Sequence, residues 1–433
     1  MTTLLIALRN LIQGGRRTVL LAFALVLVTF LLIMLDGISA GLEATMIRSA
    51  TTLSSGHVNI GGFYKVTAGQ ASPVVTELPK LRALVAEKVE GVDFVIDRAR
   101  GWARVVSETH SIWGALSGID IDEERGLKDV VELLEGDFDA LRADGTVMLF
   151  TGQAKRINAK LGDTLTLSAP TMGGVNNTVD VRVVAIARDV GFLSAINIFM
   201  PKNTVRQLYQ MRDDASGAVH IYLKDESRAA EVSEALRPEL AALDFRLMDV
   251  DPRPFWMKFE TAAGEDWTGQ KLDLTTWREE VSFLLWILTG FATLRWLLMT
   301  VIFVVIVVGI MNTLYISIRE RTREIGTLRA IGMTRWGVRR LFLAEAILLG
   351  IGAGGIGALL GVATSLLVNV ARIHIPMEAM QAIMMTDVVH LEVRGPDVAL
   401  SILVITVVTA IAALLPANLA ARLRPAGAIH HVG

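Results

Sequence analysis

One run of ionisable side chains, RERTREIGTLRAIGMTRWGVRRLFLAEA from Arg319 to Ala346, could do contact chemistry rather than catalysis. Its alternating arginines and glutamates describe a solvated, cytosolic surface. Ile325, Leu328 and Ile331, at i, i+3 and i+6, put an apolar stripe on a short helix. Gly326 and Gly332 permit tight turns or close approach. Such a segment can lie in the headgroup region on its arginines, or it can dock as a peg into a cytosolic partner and carry force. Glu345 lies about one turn into the following apolar stretch, where it is either interfacial or a functional carboxylate buried in the membrane.

Groups for bond-breaking chemistry do not assemble elsewhere. The sequence has no G-x-x-x-x-G-K-[ST] phosphate loop and no G-x-S-x-G elbow. The seven histidines, at 57, 110, 220, 374, 390, 430 and 431, follow no metal-binding spacing. Asp120, Asp122, Glu123 and Glu124 cluster, which reads as a solvated face. With no cysteine there is no disulfide, Fe–S cluster or thiol nucleophile. A net charge of −2 supplies no basic field for nucleic acid. No catalytic residue, metal or cofactor is assigned to this chain.

The elements that would position the Arg319–Ala346 run are apolar. Of 433 residues, 52% are hydrophobic, an excess that asks for membrane segments, while 20% charged residues demand a sizeable part in water. A spanning helix needs ~20 apolar residues. Four stretches qualify: Thr18–Leu35, Trp296–Ile318, the glycine-rich Leu341–Val368, and Val398–Ala417. The first is longer than a signal-peptide core and is read as an uncleaved anchor. Val281–Leu294, closed by Arg295, is read as an amphipathic stalk leading into the second span.

Basic residues in short flanks set orientation. Arg9, Arg16 and Arg17 precede span 1. Arg319, Arg321, Arg323, Arg329, Arg335, Arg339 and Arg340 lie between spans 2 and 3. Arg422 and Arg424 follow span 4, whereas the loop between spans 3 and 4 holds only Arg372 and Arg394. Both termini and the 319–340 loop are therefore expected in the cytoplasm. The expected fold is an α-helical membrane protein with four transmembrane helices and a large α+β extracytoplasmic domain inserted between helices 1 and 2. Its parts are 1–36 (N-terminus and span 1), 37–280 (periplasmic domain), 281–318 (stalk and span 2) and 319–340 (cytoplasmic loop). They continue with 341–417 (spans 3 and 4 with a short loop) and 418–433 (cytoplasmic tail).

In the large domain, strand signals occur at His57–Ile60, Ala103–Val106, Thr146–Leu149, Thr164–Leu167, Val179–Ile186, Ile196–Met200 and Val219–Leu223. Helical stretches, such as Leu78–Val89 and Ser227–Leu243, intervene. The Leu167–Val179 connection, with Pro170, Thr171, Met172, Gly173 and Gly174, is either an ordinary hairpin turn or a projecting loop for partner contact.

The loop resembles the coupling helix of the FtsX/MacB/LolC-type ABC transporter permeases, roughly N-x-x-x-x-x-x-x-E-R-x-x-E-I-G-x-L-R-A-x-G. Asn312, Glu320, Arg321, Glu324, Ile325, Gly326, Leu328, Arg329, Ala330 and Gly332 match in order, and Glu345 matches a downstream glutamate. Pro416, Ala417, Ala420, Ala421, Arg422 and Pro425 match a C-terminal motif, and residues 147–167 match a weaker outer-domain stretch. The run Ser55–Ile60 (SGHVNI) is similar to the lipoprotein-releasing LolC/LolE branch.

The resemblance implies a bacterial inner-membrane, multi-pass permease that works by mechanotransmission. Two copies of a separate ABC ATPase would bind ATP and Mg and dock at Glu320, Arg321, Arg323, Glu324, Ile325, Gly326, Leu328, Arg329 and Gly332. Only 17 residues precede span 1, so no fused nucleotide-binding domain is expected. A second permease subunit, identical or related, completes the assembly. In the lipoprotein branch, spans 1 and 2 of both subunits border a central apolar cavity for acyl chains. Phe23, Leu27, Phe30 and Met34 with Met299, Phe303 and Val307 are its counterparts here. Extracting an acyl chain costs ~0.8 kcal/mol per CH₂, which requires coupling to ATP. A hook at 169–178, tipped by Pro170–Gly174, would recruit a periplasmic carrier. ATP-coupled lipoprotein release is the first expectation. The alternatives are a MacB-like export permease with a periplasmic adaptor, and an FtsX-like signal relay.

Overall fold

The computed structural model describes residues 2–13, 15–67 and 69–422. Arg424, Pro425, His430, His431 and most of the expected 418–433 tail lie outside the described residues, as does the side chain of Arg17. Two compact units are present. One comprises residues up to Ala44, Leu288–His374 and the chain from Val388 on; the other comprises Thr45–Ile287 and Ile375–Asp387.

The first unit is helical. A short helix, Thr2–Gln13, precedes four long ones, Gly15–Leu53, Ser282–Glu320, Arg335–Ala371 and Gly395–Ala421. Each of the four is long and apolar enough to cross a membrane. All four outrun the expected spans. The first two, at 39 residues each, measure ~58 Å at 1.5 Å per residue, about twice the hydrocarbon thickness. The stretch expected as a stalk leading into span 2 is the first part of one continuous helix, which no proline interrupts.

Small residues set the helix packing. A Cβ at Gly350 or Gly354 of span 3 would fall 2.9 Å from Thr406 or Ile405 of span 4. A Cβ at Gly357 or Gly361 would strike Val26 or Ile33 of span 1. Without a hydrophobic drive between helices in lipid, such close approach is what holds them. The hydroxyls of Thr29, Ser365, Thr406 and Thr409 donate to carbonyls one turn back, which pairs these buried hydroxyls within their own helices.

The second unit is built on ten strands, β1 (Val58–Lys65), β2 (Val92–Val106), β3 (Ser111–Ile119), β4 (Leu133–Gly136) and β5 (Thr146–Phe150), then β6 (Thr164–Pro170), β7 (Asn176–Ala187), β8 (Asn197–Pro201), β9 (Ala218–Leu223) and β10 (Gly269–Thr276). Their order is β10-β1-β9-β2-β3-β8-β5-β7-β4, with β6 joined to β2 and β7. Pairing is antiparallel except at β3–β8 and β5–β7. The core holds Val105, Leu116, Leu149, Leu167, Val183, Ile198 and Leu208. All seven expected strand runs are strands. The missed ones are β3, β4, β10 and the first part of β2. In β3 and β10, glycine, serine, lysine and aspartate break the apolar alternation that signals a strand.

Residues 375–387, expected as plain loop between spans 3 and 4, fold with the β-rich unit. The Ser49 hydroxyl donates to the Met385 carbonyl at 3.3 Å. Gly191, at φ +59, lies where a Cβ would meet Met385.

Lys258 and Asp273 meet at 2.9 Å, both buried. Burial pushes the Asp273 carboxyl up to about 6, against the pull of Lys258. A folded value above the unfolded one favours folding most at low pH, and that contribution fades as pH rises through 6. Thermal midpoints measured from pH 4 to 7 should therefore rise more steeply with pH in Asp273→Asn than in the wild type. Parallel curves would refute this assignment.

Candidate coupling site

Span 2 ends at Glu320, and the backbone leaves helical geometry at Arg321 (φ −93, ψ 14). A nine-residue helix, Thr322–Ala330, follows. It closes on Gly332 at φ +108, where the Gly332 and Met333 amides donate to the Arg329 and Leu328 carbonyls. Thr334 then caps the span 3 helix, its hydroxyl accepting from the Gly337 amide at 3.1 Å. The segment is thus a short helix, a candidate lever, set off by defined breaks at both ends.

One side of the lever is buried. Ile325 packs with Ile318, Val338, Phe342, Ala417, Ala420 and Ala421, and Gly326 is buried beside it. The alanines of the C-terminal motif therefore form the floor on which the lever rests. Arg329 donates to the Ala421 carbonyl at 2.8 Å. Leu328 is half-buried, but Ile331 is 80% exposed, which corrects the expected stripe: position 331 has left the helix and belongs to the turn. Glu320, Arg323, Glu324 and Gly332 are exposed, as is Trp336 at the start of the span 3 helix.

Behind the lever lies a polar cluster. Arg321 donates to Glu324 at 3.0 Å and to both oxygens of Glu345 at 3.3 and 3.4 Å. Asn10 donates to Glu345 at 2.6 Å. Glu345 is only 7% exposed, enclosed by protein groups. Asn10 carries no sequence signal, being an isolated amide 335 positions away.

Between spans 1 and 2 runs an apolar groove of about 600 Å³. Leu20, Leu21, Ala24, Leu27, Val28 and Leu31 form one wall, and Val301, Ile302, Val305, Ile306, Gly309 and Ile310 much of the other. Of the residues expected to line the cavity between two subunits, Leu27 lines this single-chain groove. Phe23 is exposed outside the groove, Phe30 and Met34 lie on the side facing Gly361 and Ser365, and Met299, Phe303 and Val307 pack into the helix core. Each expected set keeps to one helical face, but the groove follows neighbouring faces.

The 167–179 connection is a hairpin of β6 and β7 with a tip of Thr171–Val175. The expected projection is corrected to a short, fastened turn. Thr171 is 3% exposed, the Met172 amide donates to the Tyr209 carbonyl, and Asn177 donates to the Gln207 and Leu208 carbonyls. Pro170, Gly173 and Gly174 remain exposed at its edge. Among the described residues, no three His, Asp or Glu side chains gather as metal ligands.

Residues 18–239 match the MacB-like periplasmic core domain, just over half of the chain, and residues 296–425 match the FtsX-like permease C-terminal domain. The chain belongs to the MacB/FtsX-type permeases of ABC transporters.

The macrolide export ATP-binding/permease protein MacB of Neisseria meningitidis serogroup A is 35% identical over 122 residues, 28% of this permease and 17% of that protein. MacB of Bdellovibrio bacteriovorus is 45% identical over 62 residues, 14% of this permease and 10% of that protein. The ABC transporter permease YtrF of Bacillus subtilis is 42% identical over 64 residues, 15% of each chain. The matched stretches thus span well under a fifth of these relatives. Among solved structures, the extracellular domain of YknZ from Gram-positive bacteria is 17% identical, with a TM-score of 0.30 over 43% of this permease and 95% of that chain. The periplasmic region of MacB from Actinobacillus actinomycetemcomitans is 16% identical, with a TM-score of 0.30 over 45% and 86%. Both matched family models describe permease parts, the periplasmic core and the C-terminal membrane region.

The SGHVNI run has a structural role in the permease. The Gly56 amide lies 2.7 Å from the Asn59 oxygen and 2.8 Å from His220 Nδ1, and all three residues are buried. Burial, with Arg100 and Arg98 adding to it, holds His220 well below the usual histidine range, so the ring stays neutral.

Proposed function

We propose that this permease converts ATP hydrolysis by a separate, docked ATPase into motion of its membrane helices and extracytoplasmic domain, and that it serves export with a periplasmic adaptor. The observation that carries the reading is the lever Thr322–Ala330, anchored on one side by Ile325, Gly326 and Arg329 and presenting Glu320, Arg323 and Glu324 on the other. A helix with charged residues outward and breaks at both ends is suited to be pushed as a unit. In this reading the protein sits in the bacterial inner membrane with both termini cytoplasmic. Two permease subunits, identical or related, meet two ATPase copies, which bind ATP and Mg. The groove between spans 1 and 2 faces lipid or the second subunit.

Export is favoured over lipoprotein release for two reasons. MacB relatives match the chain, and the SGHVNI run that resembled the lipoprotein branch is accounted for by the buried Gly56–Asn59–His220 contacts. Purification of the permease with an ABC ATPase partner from the same cells tests this: an adaptor should co-purify. A lipoprotein and soluble carrier in its place would establish release, and an activated cell-wall hydrolase would establish a signal relay.

Glu324→Lys tests the docking itself. It reverses an exposed charge and removes the Arg321–Glu324 pair, while Ile325, Gly326 and Arg329, which anchor the helix, are left in place. ATPase affinity should fall roughly tenfold, the scale of a lost charge pair at an interface, with membrane insertion unchanged. Unaltered assembly and turnover would show that this face does not couple.

A further inference from the structure

The coupling reading leaves one buried group unused. Glu345 lies in the span 3 helix, on the bundle interior, where an ionisable side chain is expensive to keep. An apolar residue of similar size would pack there at no desolvation cost. The carboxylate instead collects bonds from two other elements. Asn10 of the Thr2–Gln13 helix donates to Oε1 at 2.6 Å. Arg321, the residue at the break between span 2 and the lever, donates to both oxygens at 3.3 and 3.4 Å. A polar pocket of about 260 Å³ opens beside them, lined by Thr18, Ser317 and Glu324 among others.

We infer that Glu345 is the positioning residue of the lever: through Arg321 it pins the hinge of the coupling helix to span 3 and to the N-terminal helix. The inference rests on the proposed docking of an ATPase at this loop. Arg321 has two carboxylate partners of opposite character. Glu324 rides on the lever and is exposed, whereas Glu345 is fixed in the bundle and buried. When the lever tilts, Glu324 moves with Arg321 and Glu345 does not. The Arg321–Glu345 bond is therefore the one of the two that resists tilting. Asn10 holds the carboxylate in its rotamer, so the N-terminal helix takes part in the same joint. Glu345 makes no part of the exposed docking face, so its loss should impair transmission and leave docking intact.

The test uses the full chain assembled with its ATPase in lipid nanodiscs. Glu345→Gln keeps the shape and an acceptor for Asn10 but ends the ion pair. ATPase affinity should stay within about twofold, while permease-dependent ATP turnover falls about tenfold, the scale of coupling between bonded groups. Arg321→Gln should lower turnover to a similar level, and the double variant should be no worse than either single one. Asn10→Ala approaches the joint from the far side without altering any charge, and should lower turnover by a smaller factor with affinity unchanged. Unchanged turnover in Glu345→Gln, multiplying losses in the double variant, or a fall in affinity equal to the fall in turnover would each overturn the inference. If Glu345→Gln fails to assemble, Asn10→Ala decides alone: normal turnover refutes the joint. Failure of the wild-type chain to bind its ATPase would instead overturn the docking reading beneath it.

Discussion

Gly357→Val is expected to disrupt the helical unit, while Gly355→Val, two residues away, should leave it intact. A Cβ at Gly357 would lie 2.5 Å from the Val26 carbonyl oxygen and 2.8 Å from Thr29 Cβ. The first neighbour is backbone in the middle of span 1 and cannot swing aside, so the two helices must part. Parting strips contact from span 1 along the line continued by Gly361, where a Cβ would sit 2.9 Å from Ile33. Overpacking of this kind costs about 1–3 kcal/mol, and more where the obstacle is backbone. Helix association in lipid depends on such contacts, so little else offsets the loss. A Cβ at Gly355 meets nothing within 4 Å, which makes that site a control for the helix propensity of valine. Thermal melting of the purified full chain in detergent should show the Gly357 variant markedly destabilised and the Gly355 variant near wild type. Equal melting would mean that spans 1 and 3 do not approach as closely as described.

The glycines show how far the sequence could be read. GIGAGGIGALLG announces close helix approach, yet it does not say which glycines face a neighbour; that depends on where the third helix lies relative to the first and fourth. The four spans were legible because hydropathy over ~20 residues is a local, additive signal. Their ends were not, since the helices of spans 1 and 2 run on well past the apolar stretch. The short helix after span 2 was legible because Ile325, Leu328 and the turn glycine Gly332 lie within a few residues of one another. The residues lining the groove were not legible, because residues at i and i+4 identify a face without saying what that face meets. Groups joined over long sequence separations carried no signal at all. Asn10 could not be paired with Glu345. The acidic cluster at 120–124, read as solvated, proved divided: Asp122 pairs with the exposed Arg142, Glu123 with Arg82 and Lys202, and Glu124 is buried.

That buried member predicts a second large effect, in the β-rich unit. Arg98 of β2 donates from Nε and Nη2 to the two oxygens of Glu124 at 2.7 and 2.6 Å, and from Nη2 to the Thr52 carbonyl at 2.8 Å. Its side chain is 2% exposed and that of Glu124 is 4% exposed. Burial works against the guanidinium's charge, but Glu124 outweighs it and the charge persists in the fold. The side chain also reaches the face of Phe199 on β8, so apolar contact and ion pair coincide. Arg98→Met keeps most of the apolar volume but leaves a carboxylate without a partner in the core. Stranding a buried charge costs about 3–5 kcal/mol, much more than losing one hydrogen bond, so Arg98→Met should strongly lower the thermal midpoint of the full chain. The double variant Arg98→Met with Glu124→Leu removes both charges together and should recover most of that loss, because the isolated carboxylate, not the missing bond, is the larger cost. Recovery in the double variant separates this account from simple loss of packing, in which the second substitution would add further destabilisation.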